Sequence, residues 1–161
     1  MVKIDISDDI LTSIKECTKD EVEEYIENIV TLALKEEKLN KVNSHVTITS
    51  VTRAEIHKFN KEYRDVDRET DVLSFPIFTY EELKDNTLSN IELGDILICI
   101  DVVKDQAEEY STGMKREMLY MITHGICHLL GYDHIEDNDK VKMREKEERI
   151  LSQIGVGKIN E

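Results

Sequence analysis

The stretch that most restricts what this chain can fold into is His124-Gly125-Ile126-Cys127-His128-Leu129-Leu130-Gly131-Tyr132-Asp133-His134, which holds three of the five histidines at relative positions 0, 4 and 10. Around it, Met118, Leu119, Ile122, Ile126 and Leu129 recur at three and four, which predicts a helix over 114–130 with one inward stripe. Residues four apart share a helix face, so His124 and His128 can offer imidazole nitrogens to one ion. Gly131 supplies the reversal: glycine takes left-handed backbone without a steric penalty, ends the helix, and lets His134 arrive from outside it. Three protein ligands leave a fourth position for water, the arrangement of a catalytic zinc. A purely structural three-histidine zinc is the alternative, although structural sites fill all four positions and favour cysteine. The candidate metal ligands are therefore His124, His128 and His134, holding one zinc per chain.

The same spacing occurs in the metzincin peptidases, whose pattern HExxHxxGxxH places a general-base glutamate directly after the first histidine. Here that position is Gly125. No other carboxylate lies one residue from the first ligand on that helical face, so a peptidase reading lacks its proton carrier.

The rest of the chain supplies a scaffold. Val2 to Ile6 alternates as a strand. Thr18 and Glu21 form a capping box that opens a helix running to about Lys38, with Val22, Tyr25, Ile26, Ile29, Val30 and Ala33 as its buried stripe. His45 to Val51 reads as a strand, Arg53 to Tyr63 as an amphipathic helix, and Val72 to Phe78 as a strand that Pro76 confines to a sheet edge. Ile77 to Asn90 reads as a polar surface loop. The run Ile96 to Ile100, introduced by Gly94, reads as a strand covered on both faces, with Asp95 as a turn or capping residue. Helices follow over Val102 to Tyr110, over 114–130 after the Ser111-Thr112-Gly113 break, and over Asp137 to Ile154. The last is charged on its outer face, with Val141, Met143, Ile150 and Leu151 available for packing. Tyr132 reads as a core residue, and His45 and His57 as surface or packing residues. This order predicts a single α+β domain over residues 1–161, with a small mixed sheet of about four strands packed with about five helices.

Composition narrows the class. Hydrophobic residues at 40% and charged residues at 35% are globular rather than disordered, and no apolar run approaches a membrane span. The N-terminus carries no readable secretory signal, so the cytoplasm is the expected compartment. Cys17, Cys99 and Cys127 lack CxxC spacing and read as reduced apolar fillers. The net charge of −14 opposes a polyanionic partner, and only Arg53 to Arg68, with five bases against four acids, offers locally basic surface.

At the level of motifs the chain resembles the YbeY family of bacterial endoribonucleases, whose signature reads HGxLHLxGYDH; here it is HGICHLLGYDH, with Cys127 where leucine is common. Thr70-Asp71-Val72-Leu73-Ser74-Phe75-Pro76 matches that family's TDVLSFP block, Tyr63-Arg64 the pair before it, and Gly94-Asp95-Ile96 its GDI strand start. The resemblance spans residues 63–134 and implies a zincin-like fold, one zinc, and cleavage of single-stranded RNA rather than DNA. It further implies work on the 3′ end of small-subunit ribosomal RNA and in ribosome quality control, with small-subunit proteins or assembly factors as partners. By the same resemblance Arg64 is the phosphate contact and a catalytic residue together with His124. Without it, Arg64 reads first as a surface ion pair with Asp65 or Asp67. Zinc chemistry can serve such a reaction by lowering the pKa of a bound water toward about 7 or by stabilising charge on phosphoryl oxygens. Asp133 either orients a histidine or caps the turn, and Asp71 shapes the edge strand. Two rivals remain open at this point: a zinc peptidase-like hydrolase, and a non-enzymatic ribosome-assembly factor that keeps zinc for structure.

Overall fold

Three parallel strands and one antiparallel strand form the sheet in the computed structural model, which describes residues 1–84, 89–133 and 136–157. Strands β1 (Val2–Ile6), β2 (Asn43–Ser50) and β4 (Asn90–Ile98) run parallel, and β3 (Val72–Pro76) pairs antiparallel with β4 at the edge, in the order β1-β2-β4-β3. Among the described residues there are seven helices: α1 (Asp8–Leu11), α2 (Lys19–Glu36), α3 (Arg53–Arg64), α4 (Tyr80–Leu83), α5 (Ile100–Tyr110), α6 (Met114–Leu129) and α7 (Asp137–Gln153). The α+β expectation is met. None of these helices is long and apolar enough to cross a membrane.

Alternation along the strands decides which face each helix covers. Val46, Ile48, Ile91, Leu93, Ile96 and Ile98 join the buried stripes of α2, α6 and α7 in the larger core. The opposite pleat sends Leu73, Phe75 and Leu97 toward Ile56 and Phe59 of α3 in a smaller cluster. Capping boxes at Thr18–Glu21 and Thr52–Glu55 start α2 and α3. All three cysteines are free, Cys99 and Cys127 buried and Cys17 half-buried.

Several expectations require correction. The 77–90 segment is not all loop: Thr79 and Glu82 form a third capping box, which opens α4 and lets Leu83 bury. β4 begins at Asn90, six residues before the apolar run, because Ile91 and Leu93 bury on alternate positions while Asn90 and Glu92 stay exposed. Asp95 therefore lies inside this strand, opposite Thr47 and Phe75, rather than in a turn or cap. Ile100 belongs to α5, whose N-cap is Cys99. Val141 is 56% exposed and does not pack. Tyr132 is only partly buried, against the larger core.

Candidate metal centre and cleft

The end of α6 is built as the motif foresaw. Past the C-cap Leu130, Gly131 N–H donates to His128 O at 3.0 Å and Tyr132 N–H to Cys127 O at 3.1 Å, the paired bonds of a Schellman turn. Gly131 has φ +93°, and a Cβ there would stand 2.7 Å from the backbone of Tyr80, so α4 closes over the turn too tightly for any side chain. Gly125 has a different reason to be glycine. A Cβ on it would come within 2.9 Å of Ile96 Cδ1, because α6 lies directly on β4. The position where a metzincin carries its base is thus occupied by helix–sheet contact.

His124 and His128 meet edge to face, ring centroids 4.6 Å apart. His124 Nδ1 is 2.6 Å from Glu147 Oε2, and His128 Nδ1 is 3.0 Å from the carbonyl oxygen of Tyr132. A carboxylate and a carbonyl only accept, so both Nδ1 atoms carry the proton and both Nε2 atoms present lone pairs. Those Nε2 atoms converge to 3.2 Å. Two lone pairs at that separation repel unless a cation lies between them, and neutral imidazole nitrogens suit zinc. The donor set therefore fits the implied metal. His134 lies outside the described residues, and among the described residues no cluster of three metal-binding side chains occurs.

The two histidines line a cleft of about 890 Å³ together with Arg64, Arg68, Asp71, Ser74, Tyr80, Tyr132 and Asp133. Arg64 ends α3 and is exposed, and neither aspartate weighed for it pairs with it: Asp67 takes His57 at 2.7 Å and Lys61 at 4.0 Å. Arg53, by contrast, is held by Glu69 and Asp105. Among the described residues no ion pair engages Arg64 or Arg68. Asp71 has a structural job, accepting the Val72 N–H at 2.7 Å while its own carbonyl receives Cys99 N–H at 2.9 Å. Asp133 is exposed at the cleft beside the turn. His45 bridges Asp5 and Glu92 across three strands, far from this chemistry in sequence and setting.

Three residues behind the site escape a sequence reading. Glu147 and Lys146 are buried on α7, and Glu37, at the end of α2, is buried with them. Tyr132 donates its hydroxyl hydrogen bond to Glu37, which also receives Lys146 at 3.2 Å and Lys84 at 3.0 Å. Burial alone would push the Glu37 carboxyl up, but these bonds and the Lys146 charge win and hold it below the usual range. Burial, with the neighbouring Glu147 charge, pushes the Tyr120 hydroxyl up to about 12, which keeps it a donor to Glu147 Oε1 at 3.4 Å. A signal did exist: Met143, Lys146, Glu147, Ile150 and Leu151 recur at three and four, so the two charged residues lie on the apolar stripe.

Known proteins are similar to this chain over most of its length. The family model described as Endoribonuclease YbeY matches residues 9–155. A protein named Endoribonuclease YbeY from Clostridium botulinum (strain Eklund 17B / Type B) is 38% identical over 151 residues, covering 85% of this chain and 90% of that one. One of the same name from Finegoldia magna is 42% identical over 142 residues, covering 88% and 89%. The solution structure of TM1509 from Thermotoga maritima superposes with a TM-score of 0.53 at 26% identity, over 96% of this chain and 92% of that one. With residues 9–155 inside the family's pattern and relatives aligned over most of their own length, the chain belongs to the endoribonuclease YbeY family.

Proposed function

We propose that this protein is a metal-dependent endoribonuclease that cuts single-stranded RNA in the maturation of the 3′ end of small-subunit ribosomal RNA and in ribosome quality control. The observation that carries the reading is the convergence of His124 Nε2 and His128 Nε2 in a cleft that also holds Arg64. With His134 these histidines would hold one zinc ion. When bound, the ion supplies Lewis acidity to a phosphoryl oxygen and to an attacking hydroxyl or water.

The chain's own residues do the rest. Arg64 offers a planar fork with donors matched to two phosphate oxygens and stabilises the charge that grows there in the transition state. Arg68 adds a second cation at the same wall of the cleft. Glu147 and the Tyr132 carbonyl keep the Nδ1 protons off the reacting side. Gly125 leaves the position after the first histidine without a carboxylate, which fits phosphodiester chemistry better than peptide hydrolysis.

Electrostatics bears on targeting. The cleft's fixed charges are two arginines against Asp71, Glu81 and Asp133, on a chain of net charge −14. A divalent ion turns that balance only slightly positive while the rest of the chain stays acidic. Intrinsic RNA affinity is therefore weak, and small-subunit proteins or assembly factors bring the substrate.

The test compares wild type with His128→Ala. Metal is quantified in both, and both are incubated with a single-stranded fragment of small-subunit ribosomal RNA and with casein. One zinc per chain and RNA cleavage in wild type, with both reduced in the variant, is expected. Casein cleavage without RNA cleavage would transfer the reading to a peptidase; zinc with neither activity would favour an assembly factor.

A further inference from the structure

Helix α7 carries a carboxylate to the back of the site. Glu147 is 2% exposed, and burying a carboxylate is costly unless donors compensate it. No lysine or arginine does so among the described residues: Lys146 turns to Ala33 O at 3.1 Å and to Glu37, and Arg116 turns to Glu148 at 2.7 Å. The partners of Glu147 are His124 Nδ1 at 2.6 Å on one oxygen and the Tyr120 hydroxyl at 3.4 Å on the other. Tyr120 also lies stacked beside the His124 ring, interplanar angle 15°. A buried acid with an imidazole N–H as its nearest donor is poorly arranged for stability alone but well arranged for orienting that ring.

We propose that Glu147 is the positioning residue of the metal centre: it accepts the His124 Nδ1 proton, fixes the tautomer, and aims Nε2 at the point shared with His128. The inference rests on the metal-centre reading given above. Without the carboxylate the ring can rotate or move its proton to Nε2, and either change removes a donor from the ion. The carboxylate also polarises the imidazole and strengthens Nε2 as a ligand. The Glu147 side chain is 3% exposed and the His124 side chain 24%, so the contact runs from the interior to the cleft that His124 lines.

Two measurements on the full chain test this. In the metal-free wild type, nitrogen–proton correlation of the imidazole ring is expected to give His124 as the Nδ1–H tautomer; an Nε2–H tautomer overturns the inference, and this readout needs neither metal nor cleavage. Zinc is then titrated against a chelating dye with wild type, Glu147→Gln, His124→Ala and the double variant, with folding monitored by circular dichroism. Glu147→Gln is expected to lose about 10–100-fold in zinc affinity and to add nothing in the His124→Ala background. An affinity within threefold of wild type, or losses that add, overturns the proposal. If Glu147→Gln does not fold, the wild-type tautomer decides. Zinc bound by neither wild type nor variant overturns the metal reading and this role with it, whereas tight binding by both overturns this role alone.

Discussion

Lys146, wholly buried on α7, brings its ammonium 3.2 Å from the Glu37 carboxylate at the end of α2, and Glu37 in turn accepts the hydroxyl of Tyr132 from the metal-side turn. This pair links two helices to the segment that follows His128. Replacing one member strands the other in a desolvated site. Lys146→Met is expected to cost about 3 kcal/mol, the scale for breaking a buried pair, moderated because Lys84 still reaches Glu37 at 3.0 Å. Urea denaturation of both proteins at neutral pH checks this, and an unchanged midpoint would show that Lys84 and Tyr132 suffice.

Gly131→Ala asks alanine to take φ +93° with its Cβ 2.7 Å from the Tyr80 backbone. The strain, on the order of 1–3 kcal/mol, has to be relieved by shifting either α4 or the turn. The variant is expected to melt lower and also to bind zinc more weakly, because the same turn supplies the carbonyl that orients His128. Calorimetry and zinc titration on one preparation separate the two effects. A lower melting point with unchanged zinc affinity would place the movement in α4.

Arg64 is exposed at the cleft and engages no ion pair among the described residues, so its removal costs little stability. Arg64→Ala should melt within a degree or two of wild type yet lose about 100-fold or more in RNA cleavage, the scale for one transition-state donor. Arg64→Lys should recover only part of that, since an ammonium lacks the paired fork. Equal activity of the alanine variant and wild type would remove Arg64 from the mechanism.

Across the sheet, Glu92 first and Asp5 second raise the pKa of His45 above its ordinary value by hydrogen bonding to the ring. The folded state therefore holds this proton more tightly than the unfolded chain. The resulting stability is fully present below the unfolded pKa of about 6.5 and fades as pH rises through the higher folded value. Wild type should lose stability over that window, and His45→Gln should show a flatter profile there, as measured by chemical denaturation at a series of pH values. His45→Gln with the wild-type slope would assign the titration elsewhere.

The legible part of this molecule is what local rules govern. Helix spacing placed His124 and His128 on one face, glycine chemistry placed the turn at Gly131, and a lone proline placed β3 at the edge. The short helix α4 was equally legible through Thr79 and Glu82, but an acidic stretch masked the capping box. The start of β4 was harder to read: its pairing with β2 shifts register between His45 and Val46, so the alternation before Gly94 does not join cleanly to the apolar run after it. Glu37, Lys146 and Glu147 are another matter. Charged residues on a charged helix look solvated, and only their partners on other elements make them interior groups. Sequence spacing can put a residue on a stripe but cannot name what waits across the contact.

The closeness of Gly125 to Ile96 bears on how such a scaffold changes trade. A glutamate at position 125 is the one substitution that the histidine spacing invites for peptide hydrolysis, yet its first carbon would enter the volume held by Ile96 Cδ1, 2.9 Å away. A chain that places an acid there must also let the Ile96 side chain give way beneath the helix. What position 125 can carry is thus set in part by the strand under the metal helix and not by the helix alone.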